Sequence, residues 1–369
     1  MHLFGLTDDP SVGTMSRPWT LAVARDDLRQ TTIAAGDPPQ LSDGEVLLRV
    51  ARVGLTANNV TYAVLGEAMR YWEFFPPEPR GLSRRWGLPP LWGFADVAAS
   101  AVSEVPVGLR VYGYLPPASH LVVRPARVDG SGFRDASTHR ANLPTPYNAY
   151  RSTSGDPVYR ADQEDLLVLF RPLFYTAFML ADQLTDNDFY GAGQLVFSSA
   201  SSKTAYAAAL QLHGRGPRVV ALTSPGNVAF TRSLGCYDEV LPYADAGDLA
   251  VLPTVYLDLS GAPATRATLR ERLADQLIRD IAVGLTTQVS NAATAGEVFF
   301  APVQIRKRRL EWGNDGLEQR FAEAWRHFTV AVLPRLEVHT EDGPDALRQA
   351  WQEVLAGRTP AHVGRVVTM

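Results

Sequence analysis

Apolar residues fall into two textures along the chain. From about residue 20 to 160 they come in short runs broken by Gly and Pro, as in Glu45–Leu55, Arg110–Leu115 and His120–Pro125. Such runs between turn signals predict the strands of a compact β domain. From about 166 to 300 continuous apolar runs alternate with helical segments. Leu166–Leu184 predicts a helix and Gln194–Ser199 a buried strand. Ser202–Gly214 predicts an Ala-rich helix that ends in glycine, and Arg218–Ser224 a second strand. A short helix over Asn227–Gly235 follows, then strands at Glu239–Tyr243, Thr254–Ser260 and Asp280–Thr286, with a helix at Arg266–Ile278 before the last. Alternation of this kind predicts an α/β doubly wound parallel sheet, which binds ligands at the carboxyl ends of its strands. A helix over Asp345–Arg358 and a strand-like end, His362–Met369, close the chain.

Composition narrows the class. The 369 residues are 46% hydrophobic and 20% charged, which suits a globular protein with two sizeable cores. A net charge of −4 supplies no basic field for nucleic acid and no polybasic membrane patch. No apolar run reaches the roughly 18–20 residues that span a bilayer. The first residues carry Asp8 and Asp9 without an apolar core segment, unlike a secretory signal, so a cytoplasmic location is expected. Cys236, the one cysteine, excludes an internal disulfide and reads as a small buried hydrophobe. His120 and His139 have no cysteine partner near them, so no catalytic zinc is expected.

The turn between the first strand and its helix holds the candidate chemistry. A nucleotide turn needs a tight bend, close backbone approach to phosphate and a helix N-terminus with free N–H groups. The run Ser198–Thr204 has no glycine, yet its residues are small. The hydroxyls of Ser199, Ser201, Ser202 and Thr204 can donate to phosphate oxygens, and Lys203 adds positive charge where the helix dipole favours an anion. The other reading is a serine-rich helix cap in a sheet that binds nothing. The second strand ends at Thr223, Ser224 and Asn227 with no acid. A carboxylate there would hold ribose hydroxyls and repel a 2′-phosphate. Hydroxyls helped by Lys203 or Arg232 would accept it, so NADP(H) is favoured over NAD(H). The same stretch also reads as a plain turn and helix cap.

The order of these segments resembles the medium-chain dehydrogenase/reductase superfamily, especially its zinc-free quinone and enoyl reductases. The stretches that carry the resemblance are Leu41–Glu67, Gly108–Pro125, Leu173–Asp182, Arg218–Tyr243, Thr254–Gly261 and Ile281–Thr287. The chain departs from the family at the turn, where Ser199, Ser202, Lys203 and Ala205 stand for four glycines. It departs again in aromatic- and Arg-rich insertions around Tyr71–Phe94 and Gly130–Arg160. The resemblance implies a GroES-like catalytic domain over 1–165, completed by 335–369, and a Rossmann dinucleotide-binding domain over 166–334. It implies that Thr176 faces the nicotinamide, that the backbone around Leu285 meets the carboxamide, and that the protein is a homodimer. It also places Tyr62, supported by Asn58 or Asn59, at the substrate carbonyl. A phenol suits that role because its O–H can donate to developing negative charge. The bland alternatives are a tyrosine packed at a domain edge, and buried helix and strand packing for Thr176 and Leu285.

The expected activity is therefore NADP(H)-dependent reduction of an activated C=C bond in an enone, quinone or enoyl thioester. The substrate is a small molecule or acyl thioester, with no nucleic-acid or membrane partner. Carbonyl reduction on the same scaffold, and a relative that binds partners without a cofactor, are the alternatives. The basic run Ile305–Gly313 reads as a solvated strand face, with a coenzyme A phosphate site as the other reading. The aromatics Tyr71, Trp72, Phe74, Phe75, Trp86 and Trp92 read equally as a large apolar pocket or as core.

Overall fold

The computed structural model describes residues 17–284 and 297–369. Its second half is built on six parallel strands: β1 (Gln194–Phe197), β2 (Arg218–Thr223), β3 (Glu239–Pro242), β4 (Thr254–Asp258), β5 (Leu277–Val283) and β6 (Glu297–Phe299). Their spatial order is β3-β2-β1-β4-β5-β6, so strand order reverses between β1 and β4. That reversal opens the crevice in which doubly wound sheets take their ligands.

The strands are apolar on both faces, as a covered parallel sheet requires. Leu195, Phe197, Val219, Ala221, Val255 and Leu257 point to one side. There they pack against α1 (Glu164–Asp186), α2 (Lys203–Leu212) and α5 (Ala301–Val332). Val196, Val220, Leu222 and Tyr256 point to the other side, toward Leu269 and Leu273 of α4 (Pro263–Leu273) and toward Ala246 and Leu249. The short helix α3 (Val228–Ser233) follows β2.

The first half, joined by the C-terminal strands Glu337–Asp342 and Val363–Thr368, forms a nine-stranded sheet and, on its own, a three-stranded one. In the larger sheet Val46–Leu55 pairs with Leu91–Ser100, and that strand pairs with Arg110–Leu115. The insertion after residue 130 extends this sheet through Ala149–Ser152. The C-terminal strand Val363–Thr368 returns to pair with Val46–Leu55 on its other side.

One contact fixes how α1 meets this sheet. Pro172 lies inside α1 and has no N–H for the carbonyl of Val168. Gly54 approaches that carbonyl so closely that a Cβ at 54 would stand 2.6 Å from the Val168 oxygen. Gly54→Ala is expected to cost about 1–3 kcal/mol, because backbone rather than a flexible side chain would have to give way. Urea unfolding measures it, and an unchanged midpoint would contradict this account of the contact.

Two expectations change, and one left open is decided. Ile305–Gly313 is not a strand but part of α5, where Arg308 turns inward to Asp182 at 2.6 Å and Asp186 at 2.8 Å. The helix expected through Ile278 ends at Leu273, and β5 begins at Leu277, because Ala274 takes a positive φ that breaks the helix. Of the two readings open for the aromatics, Tyr71, Trp72, Phe74 and Phe75 take the core one, packed against one another and their neighbours.

Candidate functional site

The carboxyl ends of β1, β2 and β4 converge on a polar centre. β1 ends at Phe197, and the chain turns through Ser198–Ser202 into α2. Ser199 sits at the bend with φ +49°, a left-handed conformation that costs a non-glycine residue about 1–2 kcal/mol. The expectation that the bend survives without glycine is met at that cost. The backbone N–H of Ser199 donates to the Tyr243 hydroxyl at 2.7 Å. Ser202 caps α2, its Oγ accepting from the Ala205 N–H at 3.4 Å. The first turn leaves the N–H groups of Lys203 and Thr204 without an acceptor inside the helix.

Beside this turn, at the end of β2, lies a cluster of hydroxyl and amide groups. Ser201 Oγ accepts from Thr223 Oγ1 at 3.3 Å and from Asn227 Nδ2 at 3.0 Å. Asn227 Nδ2 also reaches Ser224 Oγ at 3.0 Å. Four of the expected residues are thus in one place. Arg232 is not with them: its guanidinium donates to the Val240 carbonyl at 3.4 Å, partway along β3. Lys203 projects from the start of α2 to the Val363 carbonyl at 3.2 Å, with its ammonium 5.7 Å from the centre of the Phe170 ring. Burial pulls its pKa down to about 8. Thr204 is half-buried beside it. Thr176 is half-buried on α1, and its hydroxyl donates to the Pro172 carbonyl at 3.2 Å. Leu285 lies outside the described residues.

Beneath the turn is a group that the sequence reading did not single out. Asp258, the last residue of β4, is buried and accepts from Ser198 Oγ at 2.8 Å, Tyr256 Oη at 3.1 Å, Ser260 Oγ at 2.9 Å and Gly261 N–H at 2.8 Å. Its other oxygen pairs with Arg266 at 2.9 Å. Burial opposes its ionisation, but these donors and the guanidinium outweigh burial and hold the carboxyl below its ordinary range. An acid closing an otherwise apolar strand was the visible signal. Asp258 and Ser198 tie the β1 turn to the loop after β4, which fixes the floor of the crevice.

The second centre is Tyr62, on the helix Ala57–Val64. Asn59 Oδ1 accepts from the Thr56 N–H at 2.8 Å, and its Nδ2 donates to the Pro90 carbonyl at 3.0 Å. Its side chain is therefore committed to capping the helix. Asn58 is the one that reaches Tyr62, donating from Nδ2 to the phenol oxygen at 2.7 Å. Trp92 Nε1 donates to the same oxygen at 3.1 Å. Both insertions close around this phenol: Tyr71 and Tyr147 lie 4.7 and 6.4 Å from it, ring centre to ring centre. Burial pushes the phenol's pKa well up, so it holds its proton across the neutral range. The two early histidines are engaged elsewhere, His120 Nδ1 with Ser119 Oγ at 2.9 Å and His139 Nε2 with the Phe74 carbonyl at 3.2 Å. Among the described residues, no helix is long and apolar enough to cross a membrane.

The strand order, the crevice at its reversal and the preceding β domain define a GroES-like plus Rossmann architecture. The chain shares it with several solved structures. CurA from Vibrio vulnificus, solved in complex with NADPH, aligns with a TM-score of 0.59 at 16% identity over 95% of this chain and 99% of that one. The Etr1p/NADP/crotonyl-CoA complex gives 0.56 at 11% identity, covering 96% and 100%. The quinone oxidoreductase from Coxiella burnetii gives 0.54 at 12%, covering 96% and 100%. At these identities the likeness is one of fold. By sequence, residues 53–360 match a family model, and the chain belongs to that family, described as "Protein of unknown function (DUF2855)". No curated protein matches it.

Proposed function

We propose that this chain is an NADP(H)-dependent reductase of an activated C=C bond, acting on an enone, quinone or enoyl thioester without zinc. One observation carries the reading. The glycine-free turn keeps a left-handed bend at Ser199, a Ser202-capped helix N-terminus and an adjoining acid-free cluster of Ser201, Thr223, Ser224 and Asn227. This donor set fits a phosphorylated dinucleotide. The helix N-terminus suits a pyrophosphate, and hydroxyl and amide donors suit a 2′-phosphate that a carboxylate would repel. The fold neighbours solved with NADPH and with NADP support it.

Bound there, the cofactor would supply a hydride to the β-carbon of the substrate. The chain's own groups do the rest. Ser202 and the first N–H groups of α2 hold the pyrophosphate. Lys203, beside them, contributes positive charge while it is protonated. Tyr62 donates a hydrogen bond from its O–H to the substrate carbonyl oxygen, and its two acceptor positions are already taken by Asn58 and Trp92. A single observation favours the rival, a relative that has lost its cofactor: the Ser199 N–H is already bonded to Tyr243.

Titration of the chain with NADPH and NADH, followed through quenching of its seven tryptophans, tests the reading. Saturable micromolar binding of NADPH is expected, with NADH about tenfold weaker, a difference of about 1.4 kcal/mol. Lys203 is charged below about pH 8 and neutral above it. NADPH affinity is therefore expected to fall as pH rises through that value, and the complex to take up a proton when formed above it. If neither nucleotide gave saturable quenching, the reductase reading would fail.

A further inference from the structure

Tyr112 has a hydroxyl with nothing to do. It lies on the strand Arg110–Leu115, opposite Phe94, and its side chain is 4% exposed. Its Oη has no hydrogen-bond partner among the described residues. A buried hydroxyl left so costs about 1–3 kcal/mol, and Phe would fill the same space without that cost. The ring itself is held firmly. The Arg171 guanidinium lies 5.0 Å from its centre, and the Trp92 ring stacks on it at 5.7 Å with 13° between planes.

Trp92 joins this phenol to the other one. Its ring faces Tyr112, while its Nε1–H donates to Tyr62 Oη. Tyr62 packs in the core of the first sheet and Tyr112 in the core that contains α1; Trp92 touches both. The two phenols therefore flank the seam between the β domain and α1. The Tyr62 oxygen already accepts from Asn58 and Trp92, so its single proton points away from both. Each phenol thus has one uncommitted donor, and one indole sets the position of both.

We infer that Tyr112 is a second substrate-binding donor, and that its hydroxyl and that of Tyr62 form a two-phenol oxyanion hole for a planar conjugated carbonyl compound. This rests on the reading that Tyr62 meets the substrate carbonyl. When hydride adds to the β-carbon, the C=C electron pair shifts to join the α-carbon and the carbonyl carbon. The C=O pair moves onto oxygen. The enolate oxygen receives two O–H donors, and a proton from water later reaches the α-carbon. Donors aimed at the charge as it forms lower the barrier without reorganising. Burial raises both phenols well above neutrality, so neither loses its proton in that role.

The test uses 4-nitrophenol with the full chain and no nucleotide, so that it stands apart from the cofactor titration. Its phenolate is a planar oxyanion, and its absorbance reports ionisation. The wild-type chain is expected to bind the phenolate saturably. Tyr112→Phe and Tyr62→Phe are each expected to weaken it about tenfold, one lost hydrogen bond to a charged group. Tyr112→Phe is also expected to melt at or above the wild-type temperature, which shows that it folds. Phenolate affinity unchanged in Tyr112→Phe, or no phenolate binding to the wild-type chain, would overturn the proposal. Tyr112-dependent phenolate binding in a chain that ignores NADPH would keep the oxyanion hole and sink only the reductase reading.

Discussion

Asp258→Ala is expected to lower the stability of the chain by about 3–5 kcal/mol, the range for breaking a buried ion pair from one side. The side chain accepts from two hydroxyls, a phenol and a backbone N–H, and it neutralises Arg266. Alanine removes the acceptor these buried donors share, and leaves Arg266 with Asp280 at 3.2 Å as its remaining carboxylate. Asp258→Asn keeps an acceptor oxygen and removes the charge, so it is expected to cost roughly half as much. The effect has a pH signature. The folded carboxyl titrates below its unfolded value of about 3.9. Its contribution is therefore complete above that value and is lost as pH falls through the lower, folded one. Wild-type stability should drop in this acid window, and the Asp258→Ala chain should lack that part of the drop. Chemical denaturation at neutral and acid pH measures both. Equal unfolding midpoints for wild type and Asp258→Ala would show that the network contributes nothing to stability.

Asp258 also shows where reading the sequence stops. The strand before it was legible because Val255, Tyr256 and Leu257 are apolar, and a parallel sheet covered on both faces needs such runs. The role of the acid at its end depends on Ser198, 60 residues earlier, and on the loop that follows it. No local pattern encodes that meeting. The same limit explains Asn58 and Asn59. Both are Asn in the first turn of one helix, and only the register of that turn decides which caps it and which reaches Tyr62.

The basic run failed for a different reason. Gln304 and Arg308 face inward at helical spacing, but both are polar, so the buried stripe carries no apolar signal there. Arg308 is tolerated inside because Asp182 and Asp186 of α1 neutralise it. The aromatic insertion read equally as pocket or core, and its place around Tyr62 was not legible, since that depends on Tyr147 arriving from the second insertion. The small, hydroxyl-rich turn was the most informative stretch. Its residue types foretold a bend and a capped helix, and Ser199 and Ser202 take those positions. They did not foretell that Lys203 reaches across to the Val363 carbonyl.

Ser202→Asp is expected to weaken NADPH binding at least about 100-fold, or roughly 2.7 kcal/mol, while leaving the fold intact. Aspartate is as good an N-cap as serine, and its charge is favourable beside the positive end of a helix dipole. The variant should therefore melt within a degree or two of wild type, or slightly higher. The same charge takes the place a pyrophosphate needs. It occupies the helix N-terminus, competes for the N–H groups of Lys203 and Thr204, and repels phosphate oxygens at close range. Lys203 partly offsets the repulsion while it is protonated, so the loss should be larger above about pH 8 than below it. Fluorescence titration at two pH values, paired with thermal melting, reads both effects. A stable Ser202→Asp chain that bound NADPH as wild type does would move the nucleotide away from this turn. Loss of binding without loss of stability would identify the serine-rich bend as the cradle, because capping alone predicts no change in affinity.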